Sequence, residues 1–357
     1  MKKVGIVLIN YADYARKFLI PCRDSLRCQN YPKELLNIYV VDNASSQSSL
    51  DFLGESFPEA KILPRVDGNY CAASNLGFQQ AIADGCEHLI ALNMDTEVQE
   101  DWLSELVLAL EKNPQAGIAQ SLIYLAPKNE VEKITPRINT AGNIINFLFF
   151  GFTSFYGKTL KESKLKLDSF PEIIYPSGCS FIIRKEVFEI AGPYNEDYYM
   201  YHDDLSLGLK ARLFGWKIIL APLSAVFHKY EFIRNKRNLY YLERNRHLAY
   251  RAFYSQFERF LLFPVFFIMD LGLLGFSVLG GWGDVKLKLY LELFSDQFVA
   301  MVVRERQEFQ RIAKVSRKKV YCSFSGTVKF AEIDNFVLRY LVNPVTDLYW
   351  RLIKKII

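Results

Sequence analysis

The sequence has few cysteines and no cysteine pattern. Its 357 residues include six cysteines, and no two of them stand at the spacing of metal ligands. Scattered thiols are typical of a reducing compartment, so a disulfide framework and a cysteine-based zinc site are disfavoured. An export signal is also lacking, because Met1-Lys2-Lys3 leads directly into the short strand-like run Val4–Ile9. We therefore expect the chain to fold in the cytoplasm.

The sequence also lacks the phosphate-binding turns of two common classes of nucleotide enzyme. The apolar run Gly5–Ile9 leads into Asn10-Tyr-Ala-Asp-Tyr14, where a dehydrogenase would have Gly-X-Gly-X-X-Gly. The basic pyrophosphate-binding loop that a nucleotidyltransferase carries near its amino terminus is absent as well. Both classes are therefore disfavoured.

Strand-like and helix-like segments alternate over the first part of the chain. The predicted strands are Gly5–Ile9, Asn37–Val41, Lys61–Leu63, His88–Leu92 and Ser180–Ile183, and the predicted helices are Leu19–Cys28, Ser74–Ala83, Trp102–Lys112 and Leu205–Phe214. This order predicts a doubly wound α/β domain over residues 1–233, with ligands bound at the carboxyl ends of the strands. Residues 127–170 are predicted to form a loop-rich excursion.

Residues 234–357 are predicted to form a second, helical region that is basic and aromatic, with one helix at Tyr240–Tyr254. The region has 21 Lys and Arg against 11 Asp and Glu, whereas residues 1–233 have 23 against 28. A basic surplus of this size is expected to face an anionic partner, with a solvated basic face as the alternative. The apolar residues beside it favour an anionic membrane surface and argue against nucleic acid.

The run Phe260–Gly281 within this region is almost wholly apolar, with Asp270 as its only charged residue. Its length suffices to cross a bilayer, which needs about 20 residues. Pro264, four glycines and the cost of a carboxylate at the bilayer centre argue against a crossing. A re-entrant or interfacial hairpin is favoured, with a true span and a buried helix pair as the alternatives.

Acidic residues end predicted strands or open predicted helices at Asp42, Asp95 and Asp203-Asp204. A buried strand aims such a carboxylate rigidly into the crevice at the sheet edge. Each of these residues taken alone is equally well explained as a helix cap. Their combination and order favour a catalytic site.

The order and surroundings of these motifs resemble glycosyltransferase family 2, the inverting nucleotide-sugar enzymes of the GT-A fold. The bacterial rhamnosyltransferase-like branch is the most similar, and the resemblance runs from about Lys3 to Tyr250. Val7–Tyr11, Val40–Ser45 and Asp67–Gly77 resemble the segments that surround the nucleotide, although Asn69 and Ala72-Ala73 replace glycines. The resemblance implies that the nucleotide-binding residues are Asn10, Asp42, Asn43, Asp67, Asn75 and Asn93.

The segment Leu92-Asn-Met-Asp-Thr96 resembles the Asn-X-Asp-Thr version of the family's Asp-X-Asp motif. The departing nucleotide diphosphate gains negative charge as the glycosidic bond breaks, and a divalent ion held by Asp95 would neutralise it. His228 matches the family's single histidine after the catalytic helix. The resemblance therefore implies Mn²⁺ or Mg²⁺ bound by Asp95 and His228, whereas a lone histidine near a strand would otherwise be a structural residue.

Tyr194–Asp204 aligns without gaps to the stretch that carries the family's catalytic Glu-Asp. The resemblance makes Asp204 the general base for the acceptor hydroxyl and gives Asp203 an orienting role. It also places Ser177, Gly178 and Trp216 beside the donor and acceptor sugars. Arg244 is the candidate for binding the diphosphate, or it belongs to a solvated basic helix face.

The resemblance implies an inverting glycosyltransferase that uses dTDP-rhamnose or a UDP-hexose. The expected acceptor is a hydroxyl of a saccharide or a lipid-linked saccharide in cell-surface polysaccharide synthesis. The expected location is the cytoplasmic face of the plasma membrane, as a peripheral or monotopic protein, and a homodimer is allowed. The alternative is a non-catalytic module that binds a sugar nucleotide or anchors a membrane assembly, although the presence of Asp95 and Asp204 argues against it.

Overall fold

A mixed sheet forms the centre of the first part of the chain in the computed structural model, which describes residues 2–230, 235–329 and 336–357. The strands are β1 (Val4–Tyr11), β2 (Leu36–Asn43), β3 (Lys61–Arg65), β4 (His88–Leu92), β5 (Thr96–Val98), β6 (Ala116–Leu125), β7 (Ile138–Thr140), β8 (Asn143–Ile145), β9 (Gly151–Thr153), β10 (Ser180–Arg184) and β11 (Lys217–His228). The order in the sheet is β3-β2-β1-β4-β10-β6-β11-β5, with β7 on β6, and β8 pairs with β9 separately.

The direction of the strands brings several chain segments to one edge of this sheet. β1, β2, β3 and β4 are parallel, and β10 runs antiparallel to both β4 and β6. β11 is parallel to β6. The carboxyl ends of β1, β2, β4, β6 and β11 therefore lie at the same edge as the start of β10. We call this edge the carboxyl edge, and it is where an α/β sheet binds ligands.

The helices are α1 (Tyr14–Arg27), α2 (Gln47–Ser56), α3 (Tyr70–Ala83), α4 (Trp102–Lys112), α5 (Glu130–Ile134), α6 (Leu160–Ser163), α7 (Lys185–Ala191), α8 (Asp203–Phe214), α9 (Lys236–Phe253), α10 (Gln256–Leu279), α11 (Gly283–Glu292), α12 (Asp296–Ile312), α13 (Arg317–Tyr321) and α14 (Asn343–Ile356). In the sheet-bearing part, α1 and α4 bury apolar faces that include Leu19, Trp102 and Leu106. The predicted α/β class is confirmed.

The chain divides into two compact units. Unit 1 comprises Met1–Asn143, Thr153–Tyr199 and Trp216–Glu231, and unit 2 comprises Ile144–Phe152, Met200–Gly215 and Phe232–Ile357. The last segment of unit 2 begins close to the predicted boundary at residue 234. Unit 2 also includes α8, which the predicted boundary assigned to the α/β domain.

The apolar run Phe260–Gly281 is not a hairpin, so the predicted hairpin was wrong, whereas the predicted contact of this run with a membrane stays a prediction. It forms most of one continuous helix, α10, and the chain reverses only at Gly280-Gly281, where Gly281 has a φ of 74°. α10 is long and apolar enough to cross a bilayer, and 17% of its most apolar window is buried. Its length and composition alone do not establish a crossing.

Asp270 is accommodated in unit 2 by cations from two neighbouring helices. Its Oδ1 lies 2.5 Å from Arg246 Nη2 on α9 and 3.1 Å from Lys286 Nζ on α11. Arg246 Nη2 also lies 3.0 Å from Glu243. Since two carboxylates face two cations, the buried charges are compensated, as buried ions must be.

Candidate active site

The ends of β1 and β2 join two of the predicted nucleotide-binding residues. Asn10 and Asp42 are register partners, and Asn10 Nδ2 donates to Asp42 Oδ1 over 2.7 Å. Ser49 donates to the other oxygen of Asp42, so the fully buried carboxylate has a hydrogen bond on both sides. Asn43 is also buried, and its Oδ1 has no hydrogen-bond partner among the described residues. An unpaired buried acceptor of this kind is suited to a ligand donor.

Two further predicted nucleotide-binding residues, Asp67 before α3 and Asn75 within α3, have hydrogen-bond partners inside the protein. Asp67 forms a two-pronged ion pair with Arg65, with N–O distances of 2.8 and 2.5 Å. Asn75 is buried in α3, where its amide donates to Tyr194 O over 2.9 Å and accepts from Tyr194 N over 2.8 Å. Asn75 therefore fixes the Tyr194 loop within unit 1, a structural role that the sequence did not indicate.

Gly77 is needed for close packing of α3 on the sheet. A Cβ at this position would lie 2.3 Å from Val7 Cγ1 on β1 and 3.3 Å from Val41 Cγ2 on β2. Real Cβ atoms do not approach so closely, so only glycine allows α3 to rest on these strands. The match of Gly77 to the resembled motif thus has a packing explanation.

Asp95 and His228 meet at the carboxyl edge, as the sequence predicts. Asp95 follows β4, His228 ends β11, and both side chains are buried. His228 Nε2 lies 3.2 Å from Asp95 Oδ1. His228 Nδ1 lies 3.0 Å from the amide oxygen of Asn139, which can only accept, so Nδ1 carries the hydrogen and Nε2 faces the carboxylate.

The electrostatics of this pair favour a cation between the two groups. Burial would raise the pKa of Asp95, but His228 and Tyr14 hold it below its usual value. Burial would lower the pKa of His228, but Cys179 and Asp95 raise it to about 10. A proton shared between Asp95 and His228 satisfies this arrangement, and a divalent ion would take the place of that proton.

The geometry of Asp95 and His228 fits two ligands of one divalent ion. Asp95 Oδ1 makes no hydrogen bond of acceptable geometry among the described residues. Two ligand atoms at right angles, each about 2.1 Å from an octahedral ion, lie about 3 Å apart, close to the distance between these atoms. Carboxylate and imidazole both suit Mn²⁺, and carboxylate suits Mg²⁺. The remaining positions would go to water or to a ligand.

A second acidic group lies in unit 2, where Glu243, His247 and Asp270 have ligand atoms within 4.8 Å of one another. Arg246 and Lys286 occupy the space beside these atoms and contact both carboxylates. A divalent ion there would be repelled by two fixed positive charges. We therefore interpret this group as a structural ion network.

The loop Pro176–Ser180 lies beside Asn93 at the carboxyl edge. Asn93 N donates to Cys179 O over 2.8 Å, and Ser177 N donates to Gln120 Oε1 over 2.7 Å. Ser177 and Gly178 are thus held near Asn93 and the start of β10. Trp216 lies elsewhere. It precedes β11 and packs against Gly117 at the amino end of β6, where a larger residue than glycine would clash with the indole ring. The structure places Trp216 at the opposite end of β11 from His228.

Within unit 2, Asp203 and Asp204 form the first turn of α8. Leu205 N donates to Asp204 Oδ1 over 2.8 Å, so the helix amino terminus faces this carboxylate. Asp203 is buried, and burial together with the charge of Asp204 raises its pKa well above the usual range. Asp204 is only partly buried. The two carboxyl groups therefore have different environments.

α8 is attached to the rest of unit 2 by a buried ion pair. Glu305 on α12 is fully buried, accepts a hydrogen bond from Ser206 and lies 3.3 Å from Lys210 Nζ. The Ser206 hydroxyl thus serves the attachment of α8 to α12.

The backbone before Asp203 is unusual. Tyr199, Tyr201 and His202 have φ values of 65°, 65° and 62°, which non-glycine residues rarely adopt and which concentrate at functional sites. Asn245, buried on α9, donates to Met200 O over 2.7 Å and to Tyr201 O over 2.9 Å. Asn245 therefore helps to fix the strained turn that presents the two aspartates.

Arg244, the predicted diphosphate ligand, lies in unit 2 beside Asn245. Its Nε and Nη2 donate to Asn245 Oδ1 over 3.1 and 2.9 Å, and its guanidinium lies 4.9 Å from the Tyr241 ring centre. It is buried, so it is not part of a solvated basic face. Sequence reasoning missed Asn245, Asn139 and Tyr14, although Asn245 directly follows the predicted Arg244.

The mixed α/β sheet with its helices is that of the GT-A fold. In agreement with this fold, a solved structure described as GalNAc-T7 with UDP, GalNAc and Mn²⁺ is similar, with a TM-score of 0.54 and 18% identity over 71% of this chain and 50% of that one. Residues 5–190 match the model of glycosyl transferase family 2, and the chain belongs to that family.

Curated relatives match a little over half of the chain. The O-antigen biosynthesis protein RfbC of Myxococcus xanthus is 25% identical over 57% of this chain and 16% of its own length. The N-acetylglucosaminyl-diphospho-decaprenol L-rhamnosyltransferase of Mycobacterium tuberculosis is 21% identical over 54% of this chain and 66% of its own length. The chain thus spans less than two thirds of the length of these relatives.

Proposed function

We propose that the protein is an inverting glycosyltransferase that transfers a sugar from a nucleoside diphosphate to a hydroxyl group. The observation that carries the proposal is the buried Asp95–His228 pair at the carboxyl edge of a family 2 sheet. In this reaction the acceptor oxygen attacks the anomeric carbon, and the bond to the nucleoside diphosphate breaks with its electron pair. Asp95 and His228 would hold Mn²⁺ or Mg²⁺, which supplies positive charge for the leaving diphosphate.

We assign the general base to Asp204. A base must be ionised when the acceptor hydroxyl reaches it. Asp203 retains its proton at neutral pH because burial and the neighbouring carboxylate raise its pKa. Asp204 is partly exposed and takes the proton as the new bond forms. Asp203, in contrast, orients the turn and the acceptor.

The nucleotide side of the proposed site is supported by Asn43 and Asn10. Asn43 provides a buried, unpaired oxygen, and Asn10 fixes the carboxylate of Asp42 beside it. We also assign Asp67 and Asn93 to nucleotide binding. Ser177 and Gly178 are assigned to binding of the donor and acceptor sugars. Arg244 is assigned to the diphosphate, because a guanidinium binds phosphate oxygens with two hydrogen bonds.

We propose dTDP-rhamnose or a UDP-hexose as the donor and a saccharide or lipid-linked saccharide as the acceptor. Two relatives support rhamnose and a lipid-linked or polysaccharide acceptor, because one is a rhamnosyltransferase for a diphospho-decaprenol and another belongs to O-antigen biosynthesis. The expected setting is cell-surface polysaccharide synthesis at the cytoplasmic face of the plasma membrane. The basic surplus of residues 234–357 supports that setting.

The test is release of nucleoside diphosphate from a panel of nucleotide sugars, with a lipid-linked saccharide as acceptor. We expect release that needs Mn²⁺ or Mg²⁺ and stops when a chelator is in excess. If a nucleotide sugar binds saturably but no nucleoside diphosphate is released with any acceptor, the result supports the alternative, a non-catalytic binding module. Full activity in excess chelator would contradict the proposed metal.

A further inference from the structure

The carboxyl-terminal helix has one apolar face that the protein leaves exposed. On α14, Val345, Leu348, Leu352 and Ile356 follow a spacing of three or four residues, and each is more than half exposed. Thr346 and Trp350 occupy the opposite face and are buried. Trp350 stacks on Phe147 with ring centres 4.9 Å apart and donates from Nε1 to Phe324 O over 3.0 Å, so α14 is anchored in unit 2 with its apolar face outward.

α10 presents a second exposed apolar face beside the first. Phe257, Phe260, Phe263, Phe267 and Leu271 are exposed and recur every three or four positions, and Ile268, Phe276, Val278 and Leu279 are exposed as well. α14 contacts α10 directly, because Tyr349 donates a hydrogen bond to Leu261 O. We call the two exposed faces together the lipid-docking surface. Exposed apolar side chains in this number, on two helices in contact, are typical of a site for a membrane or a partner.

Basic side chains border the carboxyl-terminal end of this surface. Lys354 and Lys355 lie in the last turn of α14, next to Ile356. Lys318 on α13 donates to Ile357 O over 2.5 Å, and Lys319 beside it is exposed. Positive charge beside an exposed apolar face is the combination that binds anionic phospholipid. This border of lysines favours anionic lipid as the occupant.

The packing of α10 opposes a path across the bilayer. Asp270 on its inner face contacts Arg246 of α9 and Lys286 of α11, and Phe266 stacks on Tyr250 with ring centres 4.2 Å apart. A crossing helix would have to leave these partners or carry their charges into hydrocarbon, where unpaired ions are strongly disfavoured. Only the exposed face of α10 can therefore enter lipid while unit 2 remains intact.

From these contacts we propose that the lipid-docking surface binds anionic phospholipid in one leaflet, with α10 and α14 lying in the plane of the interface. The apolar faces enter the headgroup and acyl boundary, and the lysines contact the phosphates. α10 and α14 would thus be the helices that hold the protein at the proposed membrane location. Lipid binding does not depend on the transferase activity, so the two are tested independently.

Vesicle cosedimentation of the full-length protein tests the proposal. The vesicles are phosphatidylcholine alone, or phosphatidylcholine mixed with phosphatidylglycerol. We expect binding to the mixed vesicles, and we expect Leu348→Glu/Leu352→Glu to weaken it by about tenfold or more. The matched control is Val131→Glu/Ile134→Glu, at two exposed apolar residues of α5 in unit 1, 73% and 83% accessible, which should bind as the wild type does.

Lys354→Glu/Lys355→Glu tests the charged part of the surface. It should also weaken binding by about tenfold or more, because each cation near an anionic surface strengthens binding, and charge reversal adds repulsion. Equal binding of the wild type to both kinds of vesicle would overturn the anionic-lipid proposal. A second contrary outcome is a protein that does not bind either kind of vesicle and forms dimers in solution. If Leu348→Glu/Leu352→Glu dissociates those dimers, the surface joins two copies of the chain and does not bind lipid.

Discussion

At the scale of single residues, the two adjacent aspartates of α8 should respond differently to the same change. Asp204→Asn keeps the size of the side chain but removes the proposed proton acceptor, so turnover should fall by about 10²–10⁴-fold. Asp203→Asn imitates the protonated form that burial favours, so we expect a rise in acceptor KM and a smaller effect on kcat. Steady-state kinetics of both variants, with donor affinity measured by calorimetry, provide the comparison.

The opposite result has a definite meaning. If Asp203→Asn abolishes turnover while Asp204→Asn retains it, Asp203 is the base and the alignment of this motif is shifted by one residue. If both variants remain fully active, the two acids serve only as a helix cap.

The Asp95–His228 pair predicts a loss of metal affinity. Asp95→Asn removes the anionic ligand from a buried pair, so Mn²⁺ affinity in the presence of nucleoside diphosphate should fall by at least about tenfold. Calorimetric titration with Mn²⁺ measures this directly, without any need for turnover. Asp84→Asn is the control, because Asp84 follows α3 and pairs with Lys61. Unchanged affinity in Asp95→Asn would contradict the metal assignment.

Individual site residues were predictable where a motif places them at the end of a strand. Asp42, Asp95 and His228 each follow or end a strand, and the sheet brings them to one edge. Asn245 and Asn139 were not predictable, since they act through hydrogen bonds to residues far away in sequence. Trp216 directly follows Gly215, the residue that ends α8. This position is at the start of β11, whereas the carboxyl edge lies at the other end of that strand.

At the scale of elements, the strained turn before α8 depends on one amide group of α9. Asn245→Asp would replace the two donated hydrogen bonds to Met200 O and Tyr201 O by repulsion between oxygens. Each buried group left unpaired costs about 1–3 kcal/mol, enough to release the positive-φ conformation. We expect kcat to fall by at least about tenfold and amide hydrogen exchange over residues 199–204 to accelerate.

The same helix provides a matched control. Asn235 caps α9 by accepting a hydrogen bond from Asn238 N over 2.8 Å, and a carboxylate can accept that bond equally well. Asn235→Asp should therefore leave both kcat and hydrogen exchange unchanged. If the wild type is active and Asn245→Asp has the same kcat, the turn does not need the two hydrogen bonds from Asn245.

Prediction from sequence succeeded for strongly patterned elements and failed for others. α4 and β4 have the predicted bounds because apolar spacing and Pro114 mark their ends. β6 was missed, since its sequence, AGIAQSLIYL, includes small and polar residues that do not suggest a strand although nearly all of it is buried. The hairpin predicted within 260–281 failed because Asp270 found cationic partners on neighbouring helices.

At the scale of the whole molecule, buried neutral histidines predict sensitivity to acid. Burial, with the charge of Arg184, lowers the pKa of His88 to about 4. The unfolded chain binds a proton near pH 6.5, so the folded state loses stability as pH falls from about 6.5 to 4. This residue contributes up to about 3 kcal/mol to that loss. His202 and His247, also lowered to about 4, act in the same direction.

His88→Gln tests this prediction, because it removes the titrating group from β4. The thermal midpoint of the wild type should fall more steeply than that of His88→Gln between pH 6.5 and 4. The two proteins are compared by their pH slopes, so a constant cost of the substitution itself does not matter. Parallel slopes would show that the pKa of His88 is not lowered in the folded protein.

The attachment of α8 to α12 has a consequence for protein engineering. Residues 200–215 belong to unit 2, and Ser206 and Lys210 both use Glu305, about a hundred positions later in the chain. A chimera that exchanged only the tail with a relative, in order to change acceptor choice, would leave Lys210 buried without its carboxylate. Grafting must therefore transfer the short insert 144–152, the α8 segment and the tail as one set.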